Sequence, residues 1–278
     1  MTNWTLVTVT YNSAAQLREA WTRADIGDAR WIVVDNASYD DSVDVAESLG
    51  AEVLRLPRNV GFSAANNVAL AEVTTSWVAF VNPDLTVRSP ADLDRLAAVS
   101  LANGGAIVAP QLLNTDGSEQ PNGRGLPYLL DKIAHRGLRL PGSRVHDYAR
   151  TGLTCPTFVA WVIGAAVAGP TDVVRRLGGW DERYFVYYED HDLGLRAWAS
   201  GVPVVLDPVV RWVHAWQRAT VRPSLAAWRN ELRSARRFFA AYRWLVGPRH
   251  RARTFDACAE LRWSSARPPG SPGVSLRG

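Results

Sequence analysis

Over the first 110 residues, apolar β-rich runs alternate with helical stretches. Trp4–Thr10 reads as a strand that stops at Tyr11-Asn12-Ser13, and Ser13 is expected to cap a helix reaching about Arg23. Trp31–Val34 is a short, wholly apolar strand ending at Asp35-Asn36. Asp40-Asp41 then place acids at the start of a helix from Ser42 to Leu49, where the dipole favours them. Val53–Leu56 predicts a third strand, Ser63–Ala71 a helix, and Trp77–Val81 a fourth strand closed by Asn82-Pro83-Asp84. Ser89-Pro90 opens the next helix with a cap and a first-position proline, and Ile107–Ala109 predicts another strand. Apolar strands alternating with helices at this spacing predict an α/β fold, a parallel sheet covered on both faces.

Residues 111–156 break the rhythm with frequent Gly, Pro, Asn, Arg and His, predicting a long loop or small subdomain of functional use. Regular structure resumes at Thr157–Val162, followed by a helix after Thr171, a helix over Glu189–Ala199, and strands over Val202–Leu206 and Val209–Val213. Ser224 to about Val246 reads as one amphipathic helix. Four units follow: 1–110, a nucleotide-binding half; 111–220, an acceptor-binding and catalytic half of the same domain; 221–263, a basic helical region; and 264–278, a Pro/Gly-rich tail expected to be disordered.

Composition narrows the classes. A hydrophobic fraction of 47% with 21% charged residues excludes disorder for most of the chain. The longest apolar run, Phe158 to Gly169, is twelve residues, short of the roughly twenty that span a bilayer. The N-terminal residues lack a basic region, and Cys155 and Cys258 form no metal-ligand spacing, so a cytoplasmic protein with reduced thiols is expected. Residues 1–110 hold seven arginines and thirteen acids, a net −6, whereas residues 111–278 carry a net +10. That asymmetry predicts an anionic partner on the second half: a lipid headgroup, a pyrophosphate or, less favoured, nucleic acid. Lys132 is the one lysine; every other basic side chain, histidine aside, is arginine.

In an open parallel sheet, ligands bind at the carboxyl ends of the strands. Three such ends carry polar side chains: Thr10-Tyr11-Asn12, Asp35-Asn36 and Asn82-Pro83-Asp84. One polar residue after a strand is usually a turn former, but three together favour a shared crevice. No Gly-x-Gly-x-x-Gly follows the first strand and no Gly-Lys-Ser/Thr occurs, which argues against dinucleotide and P-loop folds. Asp84 is placed to hold a hard divalent cation, Mg2+ or Mn2+, with substrate phosphates and water completing its shell. Glu189, Asp190 and Asp192 follow an aromatic run that is expected to dry the site and lift one carboxylate toward use as a base, while capping accounts for at least one of the three.

The order of these motifs resembles a family 2 glycosyltransferase of the GT-A fold, in particular its bacterial rhamnosyltransferase-like branch. The segments are Val9-Thr10-Tyr11-Asn12, Val34–Ser38, Asn59–Asn67, Asn82-Pro83-Asp84, Gly178–Glu182 and Tyr188–Leu193, in order over about three quarters of the chain. The resemblance implies that Thr10, Tyr11 and Asp35 surround the nucleotide base and ribose, and that Gly61 to Asn67 lines the nucleotide and sugar pocket, with Asn67 in direct contact. Asn82 stands where the family keeps the first acid of its Asp-x-Asp, so metal ligation falls mainly on Asp84. His214 matches a downstream histidine that completes the metal site in related enzymes, although a lone histidine at a strand end is more often structural. Asp190 falls where the family keeps its catalytic base.

The implied reaction is inverting, metal-dependent transfer from dTDP-rhamnose or a UDP-sugar to a glycan or lipid-linked acceptor in cell-envelope or polysaccharide synthesis. A degenerate member that binds a nucleotide sugar without turnover is the alternative, because Asn82 departs from the family pattern. A nucleic-acid partner is not expected: no recognisable module is present, and the acidic first half repels phosphate. The basic region, with Trp228, Phe238, Phe239, Tyr242 and Trp244 interleaved among nine arginines between Val221 and Arg253, predicts either a helix packed by its aromatic face or a peripheral contact with an anionic membrane.

Overall fold

The apolar runs of the first half become neighbouring strands of one sheet. The computed structural model describes residues 3–135, 149, 151–215 and 225–246. Strands β1 (Trp4–Thr10), β2 (Arg30–Asp35), β3 (Glu52–Arg55) and β4 (Trp77–Val81) lie parallel in the order β3-β2-β1-β4. Every residue of β4 is buried, as a strand covered on both faces requires. Helices α1 (Ala14–Trp21), α2 (Ser42–Ser48) and α3 (Phe62–Glu72) make the crossovers, and the strand and helix bounds fall within about two residues of those predicted.

Ser13 occupies the N-cap of α1 but does not cap it with its side chain. Its hydroxyl turns back to the Tyr11 carbonyl, and the Ala14 N–H is accepted by Asp40 Oδ2 at 3.1 Å instead. The loop after β1 is thus laced to the loop after β2. By contrast Ser89 caps α4 (Pro90–Ala102) as expected, its Oγ accepting from Ala91 N at 3.2 Å.

The second half departs from an all-parallel sheet. β5 (Leu85–Thr86), β6 (Ile107–Leu113), β7 (Gly123–Arg124), the short helix α5 (Leu129–His135), β8 (Thr157–Phe158) and β9 (Trp161–Val162) lead to β10 (Ala166–Pro170). β10 runs antiparallel between β4 and β6. Its residues belong to an apolar run without alternation, so periodicity could not separate it from the segment before it. The predicted element Thr157–Val162 is two bridges parted at Val159-Ala160, one to the main sheet and one to β7.

After α6 (Thr171–Arg176) and α7 (Glu189–Ala199), the two predicted strands merge into one, β11 (Val204–His214), with a bulge between Asp207 and Arg211. Pro208 sits in that bulge, where a missing N–H is tolerated. Asp207 is fully buried there, paired to Arg95 at 2.7 Å and accepting the Val209 N–H at 3.1 Å. The sheet closes in the order β4-β10-β6-β11-β5, and the β11–β5 pairing sets His214 opposite Leu85, one residue from Asp84.

Helix α8 (Leu225–Ala241) is shorter than predicted: Tyr242 leaves helical geometry and a 3-10 turn, Arg243–Leu245, follows. The predicted disordered tail, Cys258 and Arg222, Arg249, Arg251 and Arg253 lie outside the described residues.

Candidate active site

The register of β1 and β2 pairs Thr10 with Asp35 at the carboxyl edge of the sheet. The Thr10 hydroxyl donates to Asp35 Oδ1 at 3.2 Å and the Ser38 N–H to Oδ2 at 3.1 Å, so both side chains are buried and oriented. Tyr11 is exposed, its ring edge-on to Tyr39. Asn36 ties this edge to the turn before α3, accepting the Val60 N–H at 2.8 Å and donating to the Gly61 carbonyl at 3.3 Å. Gly61 has φ of +91°, and a Cβ there would stand 2.5 Å from the Phe185 carbonyl oxygen. Only glycine suits that conformation and approach. Phe62 N donates to the same carbonyl at 2.7 Å, so α3 is fastened to the turn that precedes α7.

Asn67, expected in the sugar pocket, is turned elsewhere. Its Oδ1 accepts the Trp180 N–H at 2.9 Å, and its Nδ2 donates to the Trp180 carbonyl at 2.7 Å and Glu182 Oε1 at 3.0 Å. It lines a shallow depression with Gly178 and Arg183, apart from the cavity that holds Asp84 and Asp190. The amide is engaged in holding the Gly178–Glu182 loop to α3.

One cavity, of about 780 Å³, brings Asn82, Asp84, His214 and Asp190 together. His214 Nε2 lies 3.3 Å from Asp84 Oδ1, a buried oxygen with no hydrogen-bond donor. The tautomer follows from Gln120. Its amide nitrogen donates to the His214 carbonyl and to Asn114 Oδ1, each at 2.9 Å, which turns Oε1 toward His214 Nδ1 at 2.8 Å. Nδ1 therefore carries the proton in the neutral ring, and the Nε2 lone pair faces a carboxylate oxygen. Two electron-rich atoms set against each other at the mouth of a strand pair fit a cation between them. Among the described residues no group of three His, Cys, Asp or Glu could hold a metal, so a cation here would draw its remaining ligands from substrate oxygens and water.

Asp190 enters from the first turn of α7. Tyr187 and Tyr188 both have left-handed backbones, φ of +69° and +73°, an uncommon pair for bulky residues that turns Glu189 and Asp190 toward the cavity. Asp190 Oδ1 accepts from His191 N at 2.8 Å and from His191 Nδ1 at 2.5 Å; Oδ2 accepts from Gly164 N at 3.2 Å. Lys132 Nζ lies 2.8 Å from His191 Nε2 and 3.6 Å from the centre of the Tyr188 ring. An ammonium can only donate, so His191 accepts at Nε2 and donates from Nδ1 to Asp190. Its ring is stacked on Trp161 at 3.5 Å.

These contacts set the charges. Burial, assisted by the Lys132 ammonium, pushes the His191 pKa down to about 4, so the ring is neutral near pH 7. Burial alone would raise Asp190, but the His191 ring and the backbone N–H groups of Gly164 and His191 outweigh it and hold the carboxyl below its ordinary range. Burial and then the Asp190 charge push Glu189 well above the ordinary range. Drying thus lifts a carboxylate, as the sequence suggested, but the one lifted is Glu189, not the residue in the base position. The two neighbouring carboxyls are thus pushed in opposite directions, Glu189 up and Asp190 down. Asp192 is elsewhere engaged, with Arg196 Nε at 2.6 Å and Tyr242 Oη at 2.8 Å, and none of the three acids caps α7 in the simple sense.

Lys132, Gln120 and Gly164 were not singled out by sequence for the site, and His191 appeared there only inside a motif. The lone lysine in an arginine-rich chain was the one visible signal, since arginine's fork could not replace a compact donor aimed at an imidazole nitrogen.

The family described as glycosyl transferase family 2 matches residues 5–163. The chain belongs to that family. This glycosyltransferase is 28% identical over 240 residues to N-acetylglucosaminyl-diphospho-decaprenol L-rhamnosyltransferase of Mycobacterium tuberculosis, an alignment that covers 78% of this chain and 77% of the relative. Its fold is similar to mannosyltransferase PcManGT from Pyrobaculum calidifontis in complex with GDP-Man and Mn2+, with TM-score 0.56 and 17% identity over 88% of this chain and 72% of that one. It is also similar to GalNAc-T7 with UDP, GalNAc and Mn2+, with TM-score 0.61 and 15% identity over 88% of this chain and 51% of that one. The glycosyltransferase spans about half the length of that second neighbour. Its mixed, mostly parallel sheet is the GT-A fold.

Proposed function

We propose that this glycosyltransferase moves a hexose, with inversion, from a nucleoside-diphosphate donor to a hydroxyl of a cell-envelope or polysaccharide acceptor. The observation that carries the reading is one cavity holding both the Asp84–His214 pair and the hydrogen-bonded Asp190 carboxylate. The rhamnosyltransferase name of the mycobacterial relative makes dTDP-rhamnose the first donor to test, with UDP-sugars next.

Asp190 accepts the acceptor hydroxyl's proton as that oxygen attacks the anomeric carbon and the bond from that carbon to the diphosphate oxygen breaks. Proton transfer coupled to bond formation suits a carboxylate of low pKa, because the hydroxyl becomes acidic only as its oxygen bonds to carbon. With Asp190 as the base and the acceptor oxygen attacking from the face opposite the departing diphosphate, the reaction is a single displacement that inverts the anomeric carbon. Asp84 and His214 would hold a divalent cation, whose chemistry is to neutralise charge on a departing diphosphate. Thr10, Tyr11 and Asp35 would take the base and ribose at the sheet edge, and Asn82 the sugar or phosphate.

A panel of nucleotide sugars, screened for thermal stabilisation and donor turnover with and without Mn2+, tests this reading. Metal-dependent stabilisation by one donor class together with turnover supports it; stabilisation without turnover toward any hydroxyl acceptor or water would point to a binding protein instead.

A further inference from the structure

Helix α8 presents two unlike faces. The inward face is wedged against the site: Phe238 is fully buried against the Tyr188 and His191 rings at 5.2 and 5.6 Å, and Ser234 Oγ donates to the Val186 carbonyl at 2.8 Å. Glu231, one turn earlier, lines the cavity. The outward face carries Trp228 and Leu232, 54% and 62% exposed, with Arg236 continuing the same four-residue spacing and Arg229 and Arg233 exposed beside them. No acid shares that face, since Glu231 is the one acidic residue of the helix and belongs to the other side.

We propose that this outward face of α8 docks on an anionic lipid bilayer. An exposed Trp and Leu flanked by guanidinium groups, on a helix lying along a protein surface, is the composition of an interfacial helix: the apolar pair enters the headgroup boundary, and the arginines meet lipid phosphates. Among the described residues no helix is long and apolar enough to cross a membrane; the contact proposed is a peripheral one. Nucleic acid fits less well, because residues 1–110 carry a net −6 and would repel a long phosphate polymer lying across the protein.

The contact has a consequence for the reaction. A helix with its side chains is about 10 Å across, so a bilayer under α8 lies about one helix diameter from the wall of the cavity. An acceptor sugar carried on a lipid would then reach Asp190 without leaving the membrane surface. That consequence rests on the proposed transfer activity; the docking itself does not.

The test is sedimentation of the full chain with phosphatidylcholine vesicles, with and without phosphatidylglycerol, over a salt series. Each basic residue near such a surface is worth about fivefold in partitioning, so Arg229→Gln, Arg233→Gln and Arg236→Gln together should weaken binding on the order of a hundredfold. Arg23→Gln with Arg58→Gln, exposed on the first half, should leave it unchanged. Thermal stabilisation by donor nucleotide, measured on the same variants, reports whether the site is intact and separates loss of docking from loss of the proposed activity. Salt-sensitive binding to the anionic vesicles alone, lost in the triple variant, supports the proposal. Equal binding to both vesicle types, binding to neither, or a triple variant that binds as wild type overturns it.

Discussion

Replacing His191 by phenylalanine isolates what its ring nitrogens do for Asp190. The substitution keeps an aromatic ring over Trp161 but removes the donor that lies 2.5 Å from Asp190 Oδ1 and the acceptor that faces Lys132. A hydrogen bond to a charged group is worth about 1.5–3 kcal/mol, which at about 1.4 kcal/mol per unit is one to two pH units. The groups left beside Asp190 are the Glu189 carboxyl and the backbone N–H groups of Gly164 and residue 191. Burial, which pushes Asp190 upward, is then opposed by less. The acid limb of kcat/KM against pH should therefore move up by about one to two units, with a smaller loss on the alkaline plateau. His191→Asn should pull the limb back toward wild type, because its amide N–H can occupy the place of Nδ1–H. An acid limb unmoved in His191→Phe, or moved equally in both variants, would refute the assignment of Asp190 ionisation to this ring.

Four further outcomes follow from the same contacts. The unfolded chain protonates His191 near 6.5 and the folded one only near 4, so stability is full above 6.5 and falls as pH drops from 6.5 to 4, by on the order of 3 kcal/mol; thermal melts of His191→Phe should lose that share of the acid sensitivity. Asn67→Ala should cost about 1–3 kcal/mol in denaturant unfolding while leaving donor affinity unchanged, and weaker donor binding at unchanged stability would restore the pocket role. Gly61→Ala forces a Cβ against Phe185 at a glycine-only backbone geometry, costing about 1–3 kcal/mol or more and lowering turnover through the displaced Tyr187–Asp190 turn, as melts and initial rates on one preparation would show. Asp84→Ala should abolish Mn2+-dependent donor binding in calorimetry, and His214→Ala weaken it; equal donor binding by wild type in excess chelator would remove the cation from the account.

The first half was legible because each of its strands is a self-contained apolar run ending in polar residues, so Trp4–Thr10 and Trp77–Val81 announced both their length and their edge. β10 was not legible, because Ala166–Gly169 continues an apolar stretch whose direction depends on pairing with β4 and β6. β11 was split in two by Asp207-Pro208, a pair that reads as a turn and becomes a bulge once Arg95 neutralises the buried acid. Among site residues, Asp84, Asp190 and His214 were placed by motif order, and the fold brings them into one cavity. For Asn67 the motif shows its position but not which neighbour claims its amide, here the Trp180 backbone. Lys132 lies 59 residues from the imidazole it serves, a distance no local pattern spans.

Asp190→Asn tests the central claim most directly, by comparing kcat for donor turnover with donor affinity on the same preparation. The amide keeps the shape of the carboxylate but cannot accept the acceptor's proton. The account predicts that kcat falls by about 10²–10⁴ while the donor Kd stays near wild type, a loss confined to the transition state. Turnover close to wild type with Asn at position 190 would contradict it and move the base elsewhere in the cavity.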